Sequence, residues 1–426
     1  TDGALANFVP GDFNPAQAPQ LIQPYRETPT SARLGRNPIT GEIVPEVKIG
    51  TFVPGSGNVI NGMRLYPDGV ALQTPSMKLA PRFGFAWDVF GQGKTAVRGG
   101  FGMFFNRYSD DFIMQWTELP PLVNTYTANY TTISSLLATP LSASPASVSG
   151  QESSPNAPTM YNWSFGIQQD IGFGTVVDVA YVGSAGRHLV HSRNLNATPY
   201  GTNGLASSQD ATSPGRPLPV NFLRPYRGYG DISYRELAGS SNFHSLQTQV
   251  NRRFTRSLLF GGTWTWSKFM NFSDEDFGSV NPVLNYRRWN YGKSGFDRTH
   301  NVTANFIYDL PKFSKNWDNV VSRTAFDGWQ VSGVALFLSG APTGIGLSYV
   351  QAVDITGGTG LDSRVNLTGN PNLPFGSRDP LRFFDTSVVQ PPPLSSNGIG
   401  NAPRDAVRGP GLNNWDLSLY KNFSWG

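Results

Sequence analysis

The chain of 426 residues contains no cysteine. That excludes a disulfide framework and any Cys-ligated metal centre. Charge is scarce too: Asp, Glu, Lys and Arg make up 15% of the residues, against the usual quarter. The net charge is +4 with Lys and Arg scattered, so no dense basic patch invites nucleic acid. No apolar run approaches the ~20 residues of a membrane helix. The opening Thr1-Asp2-Gly3 has neither the basic nor the apolar region of a secretory leader. The sequence thus reads as cytosolic, or as a chain whose start lies elsewhere.

Aromatic residues, by contrast, are plentiful at 13%, and there are 47 Gly and 33 Pro. This composition predicts an all-β chain with long loops.

One stretch invites a different reading. Gly91-Gln-Gly-Lys-Thr95 looks like the tip of a phosphate-binding loop. A P-loop needs a glycine five residues before Gly93, but Asp88 stands there. The helix that must follow would have to accommodate Gly99, Gly100 and Gly102, each costing about 1 kcal/mol in a helix interior. On both sides the residues alternate instead: Phe83, Phe85, Trp87 and Val89 before, Val97, Phe101, Met103 and Phe105 after. Period two marks strands with one apolar face. The glycines then turn a hairpin, being free to adopt positive φ.

The same alternation recurs. It is carried by Trp163/Phe165/Ile167/Ile171, Val177/Val179/Tyr181, Leu246/Thr248/Val250/Phe254 and Leu258/Phe260/Trp264/Trp266. Val302/Ala304/Phe306/Tyr308, Trp329/Val331/Ala335/Phe337 and Trp415/Leu417/Leu419/Phe423 continue it. About nine strands of roughly 10–13 residues result, longer than the usual soluble strand. Turns at 91–94, 172–174 and 255–257 and a moderate link at 311–327 alternate with long stretches at 107–159, 187–241, 269–297 and 341–412. This asymmetry is that of an outer-membrane barrel, with short periplasmic turns and long extracellular loops. Trp87, Trp163, Trp266, Trp329 and Trp415 are expected near strand ends, as in interfacial girdles. The expected fold is therefore all-β, an antiparallel transmembrane β-barrel. Residues 1–79 are expected as an extracellular loop region, 80–340 as barrel strands and loops, 341–412 as a long extracellular loop and 413–426 as a truncated strand.

Six stretches carry a resemblance: Ala80–Tyr108 (APRFGFAWDVFGQGKTAVRGGFGMFFNRY), Asn162–Leu189, Asn242–Lys268, Phe296–Pro311 (FDRTHNVTANFIYDLP), Gly328–Pro342 and Gly409–Phe423 (GPGLNNWDLSLYKNF). In this order they resemble the barrel of Oar-like TonB-dependent receptors. The resemblance implies the C-terminal barrel part of an outer-membrane transporter. The leader, the regulatory-like β-sandwich, the plug and the first barrel half of that family have no counterpart here. It implies partnership with the TonB complex through a plug region, contact with outer-membrane lipid, and uptake of a small nutrient or oligosaccharide. With about nine strands, either further strands complete the wall or copies associate through open edges.

Chemistry-bearing residues are few. Of the four histidines, His188, His191, His244 and His300, the first two stand on opposite faces of an extended chain with no third ligand. His300 follows Asp297-Arg298, a strand-start polar cluster rather than a catalytic group. Asp274, Glu275 and Asp276 could hold calcium with loop carbonyls, although the EF-type spacing is missing. Tyr286, Arg287, Arg288, Trp289 and Tyr291 form a basic–aromatic patch suited to stacking on a sugar or clamping an anion. Arg98, Asp178, Gln249, Asn251, Arg253 and Asn305 fall on the polar parity and are expected to face the lumen. No cofactor is called for, and the chain reads as no enzyme. Two rival readings remain: a self-assembling adhesive β-protein and a soluble carbohydrate-binding β-sandwich.

Overall fold

The computed structural model describes residues 4–71, 77–106, 114–123, 144–154, 156–255, 257–282, 284, 286–317, 319–347, 356–358, 363–393 and 398–423. Nine long strands form one antiparallel meander in which spatial order equals chain order. They are β1 (Arg82–Asp88), β2 (Thr95–Phe105), β3 (Thr159–Gly172), β4 (Thr175–Asn194), β5 (Tyr229–Thr255), β6 (Leu258–Asn271), β7 (His300–Asp309), β8 (Trp329–Leu338) and β9 (Leu412–Lys421). Each pairs with its chain neighbours, and among the described residues the outer edges of β1 and β9 have no partner strand. The wall is thus a partial barrel.

Short and long connections alternate as the sequence predicts. At the β1–β2 turn Gly91 and Gly93 have φ of 66° and 68°. The Asp88 carboxylate accepts their N–H groups at 3.1 and 2.7 Å. The residue that spoils a P-loop is the one that caps this hairpin.

Side-chain parity sorts the wall into two faces. One presents Phe83, Trp87, Phe165, Ile167, Trp266, Trp415, Leu417 and Leu419, all strongly exposed; Leu417 keeps 63% of its surface. Among the described residues no second sheet of the wall covers these rows. In water such a face would be buried; facing lipid, it needs no cover. The sandwich reading fails on this point, because its aromatic rows would be packed between two layers. Trp87 and Trp329 sit at strand ends, whereas Trp163, Trp266 and Trp415 lie three to five residues inside.

β4 and β5 run on beyond the other strands. At 20 and 27 residues they exceed the ~9–11 that cross a bilayer. Both continue past residues 187 and 241, into stretches expected as loop. There they meet a folded layer built by the N-terminal region. Leu5–Phe8 pairs antiparallel with Met63–Tyr66, and Ala146–Gln151 runs parallel to the start of β5. Phe8, Trp116, Val148, Tyr229 and Ile232 form its core. This buried hydrophobic cluster therefore lies at the long-loop end, outside the wall.

Candidate functional site

The polar face of the wall comes first. Across it the register runs Ala96–Gln168–Asp178–Gln249–Thr263–Thr303, bringing Asp178 and Gln249 side by side. Asn251 and Asn305 flank Gly261, where an added Cβ would stand 2.4 Å from Asn305 Oδ1. Glycine there lets two carboxamides share one spot. Arg98 donates to Gln168 Oε1 on β3. Arg253 lies at the short-turn end, its N–H bonded to Gly174 O at 2.9 Å. Asp178, Gln249, Asn251 and Asn305 stand in register on the parity opposite the exposed apolar rows, whereas Arg253 falls within a register shift of β5.

The long-loop end carries the more elaborate chemistry. Asp274 is a junction: Oδ1 accepts from Asn271 Nδ2 at 2.9 Å and from Ser294 Oγ. Its Oδ2 accepts from the Gly295 N–H at 2.9 Å and from Arg404 Nη2 at 3.0 Å. Burial alone would raise the pKa of Asp274. Hydrogen bonds from Ser294, Asn271 and Gly295, with the charge of Arg404, nevertheless hold it below the ordinary carboxylate range. Arg404 also donates to the carbonyls of Asn271 and Asn290, each at 3.2 Å. Arg408 pairs with the buried Asp297, whose other oxygen accepts the Phe269 N–H at 2.7 Å. Arg364 lies 4.1 Å over the Trp289 ring. Three arginines from the β8–β9 connection thus clamp the β6–β7 connection. Long-range loop pairing of this kind leaves no local sequence signal. A hint existed only in Arg404 and Arg408, two cations just before a strand.

The acidic run does not assemble as a calcium loop. Asp274 is saturated by its hydrogen bonds and Arg404, and among the described residues no three His, Cys, Asp or Glu side chains converge on a metal position. Glu275 and Asp276 are exposed. The basic–aromatic patch is divided. Residues Tyr286–Asn290 form a helical turn, and the Tyr286 side chain lies outside the described residues. Arg287 and Arg288 are exposed, with the Arg287 guanidinium 5.8 Å from the Tyr291 ring centroid. The Tyr291 hydroxyl accepts from Asn242 Nδ2 at 2.6 Å. Trp289 packs under Arg364, so both aromatics build the loop layer as well as facing it.

The histidines do not group. His188 takes φ of 55° at a register shift of β4. His191 is 1% exposed and lies 3.6 Å from Glu236. His244 accepts or donates with Tyr181 at 2.7 Å, and His300 stacks on Trp264. Neither arrangement is a catalytic triad.

Two cavities share the wall Phe272–Glu275. One, of about 420 Å³, reaches from Ser240 and Asn271 to Phe296. The other, of about 460 Å³, is lined by Asn281, Asn290, Arg364 and Arg404.

Against known proteins, the family model of the outer membrane beta barrel domain matches residues 2–426. The chain belongs to that family. It is an antiparallel outer-membrane β-barrel domain, and its place is the outer membrane. No curated protein matches it. Among solved structures it is similar to the outer membrane transporter YddB from Escherichia coli, at 11% identity and a TM-score of 0.39, covering 64% of this chain and 30% of that one. It is also similar to P. aeruginosa FpvA bound to heterologous pyoverdines, at 10% identity and a TM-score of 0.31, covering 67% and 26%. A third similarity is to FpvAI in complex with pyocin S2, at 11% identity and a TM-score of 0.32, covering 67% and 25%. The chain spans less than a third of each of these proteins.

Proposed function

We propose that this domain forms part of the wall and outer surface of a TonB-dependent receptor of the Oar-like kind, which takes up a nutrient ligand. The observation that carries the reading is the division of labour along the strands. An apolar outer face suits lipid, a carboxamide- and hydroxyl-rich inner face suits a wet passage, and a clamped layer with two cavities stands where a ligand would arrive. The ordered resemblance of six strand stretches to Oar-like receptors supports it. In this reading energy comes from the TonB complex through a plug region, and the wall has no catalytic part. Arg98, Asp178, Gln249, Asn251, Arg253 and Asn305 would hydrate the passage or meet the plug.

The test combines location with energy coupling. Cells expressing the complete open reading frame are fractionated, and the outer-membrane protein is checked for heat-modifiable migration. Growth on oligosaccharide, peptide and chelated-metal sources is then compared with and without functional TonB. Expected are membrane partitioning and a TonB-dependent advantage on one source. A soluble monomer, or growth indifferent to TonB on every source, sinks the proposal. The unpaired edges of β1 and β9 favour one rival, a self-assembling structural protein. Filaments formed without lipid would select it.

A further inference from the structure

The cavity of about 420 Å³ at the outer ends of β4–β6 is well within the range of small-molecule sites. Two polar side chains in its lining, Ser240 and Asn271, are each 6% exposed. Ser240 Oγ and Asn271 Oδ1 are buried without a hydrogen-bond partner. Such atoms are costly to leave unsatisfied, about 1–3 kcal/mol apiece. The Asn271 amide nitrogen is already used, donating to Ser273 O and Asp274 Oδ1; only its acceptor is left. Glu275 and Asp276 also line the cavity and are exposed, and among the described residues neither carboxylate has a hydrogen bond or ion pair. Phe269 and Phe296 supply apolar lining.

The balance of donors and acceptors selects the ligand. The groups left free in the lining are the carboxylates of Glu275 and Asp276, Asn271 Oδ1, the hydroxyls of Ser240 and Ser241 and the Asn106 carboxamide, so acceptors outnumber donors. A sugar hydroxyl brings an acceptor with every donor, adding acceptors to a lining already rich in them. An ammonium brings three donors and no acceptor, and its charge meets Glu275 and Asp276. The cations nearby do not line the cavity: Arg404 is paired with Asp274, and Arg235 lies 4.2 Å over the Phe277 ring. His191 lines the cavity beside Glu236.

We propose that this cavity binds a primary ammonium carried on an apolar body, of the class of arylalkylamines or an amino-terminal aromatic residue. The ammonium sits between Asn271 Oδ1, Ser240 Oγ and the carboxylates of Glu275 and Asp276, and the apolar part lies against Phe269 and Phe296. As the capture site of an importer this rests on the reading above; as a binding site it does not.

The test uses the purified, heat-modifiable protein in detergent and isothermal titration calorimetry. The probes are 2-phenylethylammonium, its neutral isostere 2-phenylethanol, glucose and calcium chloride. Saturable binding of the ammonium is expected, at least tenfold tighter than the alcohol. The double substitution Glu275→Gln with Asp276→Asn should weaken it about tenfold. Those side chains hold no partner, so folding is retained and heat-modifiable migration checks it. Ser240→Val should weaken binding without restoring affinity for the alcohol. Equal affinity for alcohol and ammonium, no effect of the double substitution, or no ammonium binding overturns the proposal. So does saturable binding of glucose or calcium in its place. Ammonium binding without TonB-dependent growth would keep the site and discard the importer.

Discussion

Arg404 Nη2 stands 3.0 Å from Asp274 Oδ2, joining two connections 130 residues apart in the chain. The pair is half-buried, with side-chain exposures of 19% and 29%, and Arg404 adds two bonds to backbone carbonyls. Hydrogen bonds to charged groups are worth about 1.5–3 kcal/mol when they are not freely solvated. Arg404→Ala should therefore loosen both connections while leaving the wall intact. Hydrogen exchange should accelerate in 272–299 and 398–411 and stay unchanged in β2 and β3. Uniform protection in the variant would show that the clamp is ornamental.

The same junction gives the outer layer an acid limit. The Asp274 carboxyl sits below its ordinary value of 3.8, so its folded pKa is the lower of the two. Stability from this group is fully present above the unfolded pKa and is lost as pH falls through the folded one. Pepsin cleavage within 272–299 should thus be slow from pH 5 down to the ordinary carboxylate value and rise below it. Asp274→Asn should be cleaved readily at pH 5, with little further acid dependence from this site. Protection lost on raising the pH instead would contradict the assigned sign.

The wall was legible because its signal is local. Alternation at Phe165/Ile167 or Leu417/Leu419 needs nothing but a strand and one apolar face, and Gly91 and Gly93 announce their turn. The outer layer was not. Nothing near Asp297 tells that Arg408 will reach it, and nothing near Trp289 points to Arg364. Residues 1–79 read as loop because Leu5–Phe8 and Met63–Tyr66 are too short for periodicity to register. The boundaries of β4 and β5 were missed for a related reason. Beyond Gly186 these strands gain neighbours other than lipid, so strict apolar alternation ends before the strand does. Asp274–Asp276 showed its charge in the sequence but not which carboxylate an arginine would claim.

A glycine inside the wall offers a sharper test of packing. An added Cβ at Gly183 would lie 2.3 Å from Trp163 Cε2 on the neighbouring strand, its register partner. The indole lies across bare backbone and covers a position that glycine would otherwise leave unpacked. Gly183→Ala must push the ring aside, at about 1–3 kcal/mol. Trp163→Ala should abolish most of that penalty, so the double variant should be much less destabilised than the single effects summed. Urea titration in lipid, followed by heat-modifiable migration, reads all four corners. Additive effects would mean that the ring does not rest on Gly183.

The orientation of the two faces is tested by moving one charge between them. Ile167 on β3 belongs to the exposed apolar face, 45% open. Gln249 on β5 belongs to the opposite face and pairs in register with Asp178. An arginine on the lipid side near the bilayer centre costs about 2–4 kcal/mol, while lumen substitutions leave insertion largely unaffected. Ile167→Arg should therefore lower the folded fraction in vesicles sharply. Gln249→Arg should insert normally, since the new guanidinium meets Asp178 and water. In detergent alone the gap between the two should narrow, because micelles adapt to a charge more readily than a bilayer does. The reverse ranking in vesicles would turn the wall inside out and, with it, the assignment of every polar residue on the inner face.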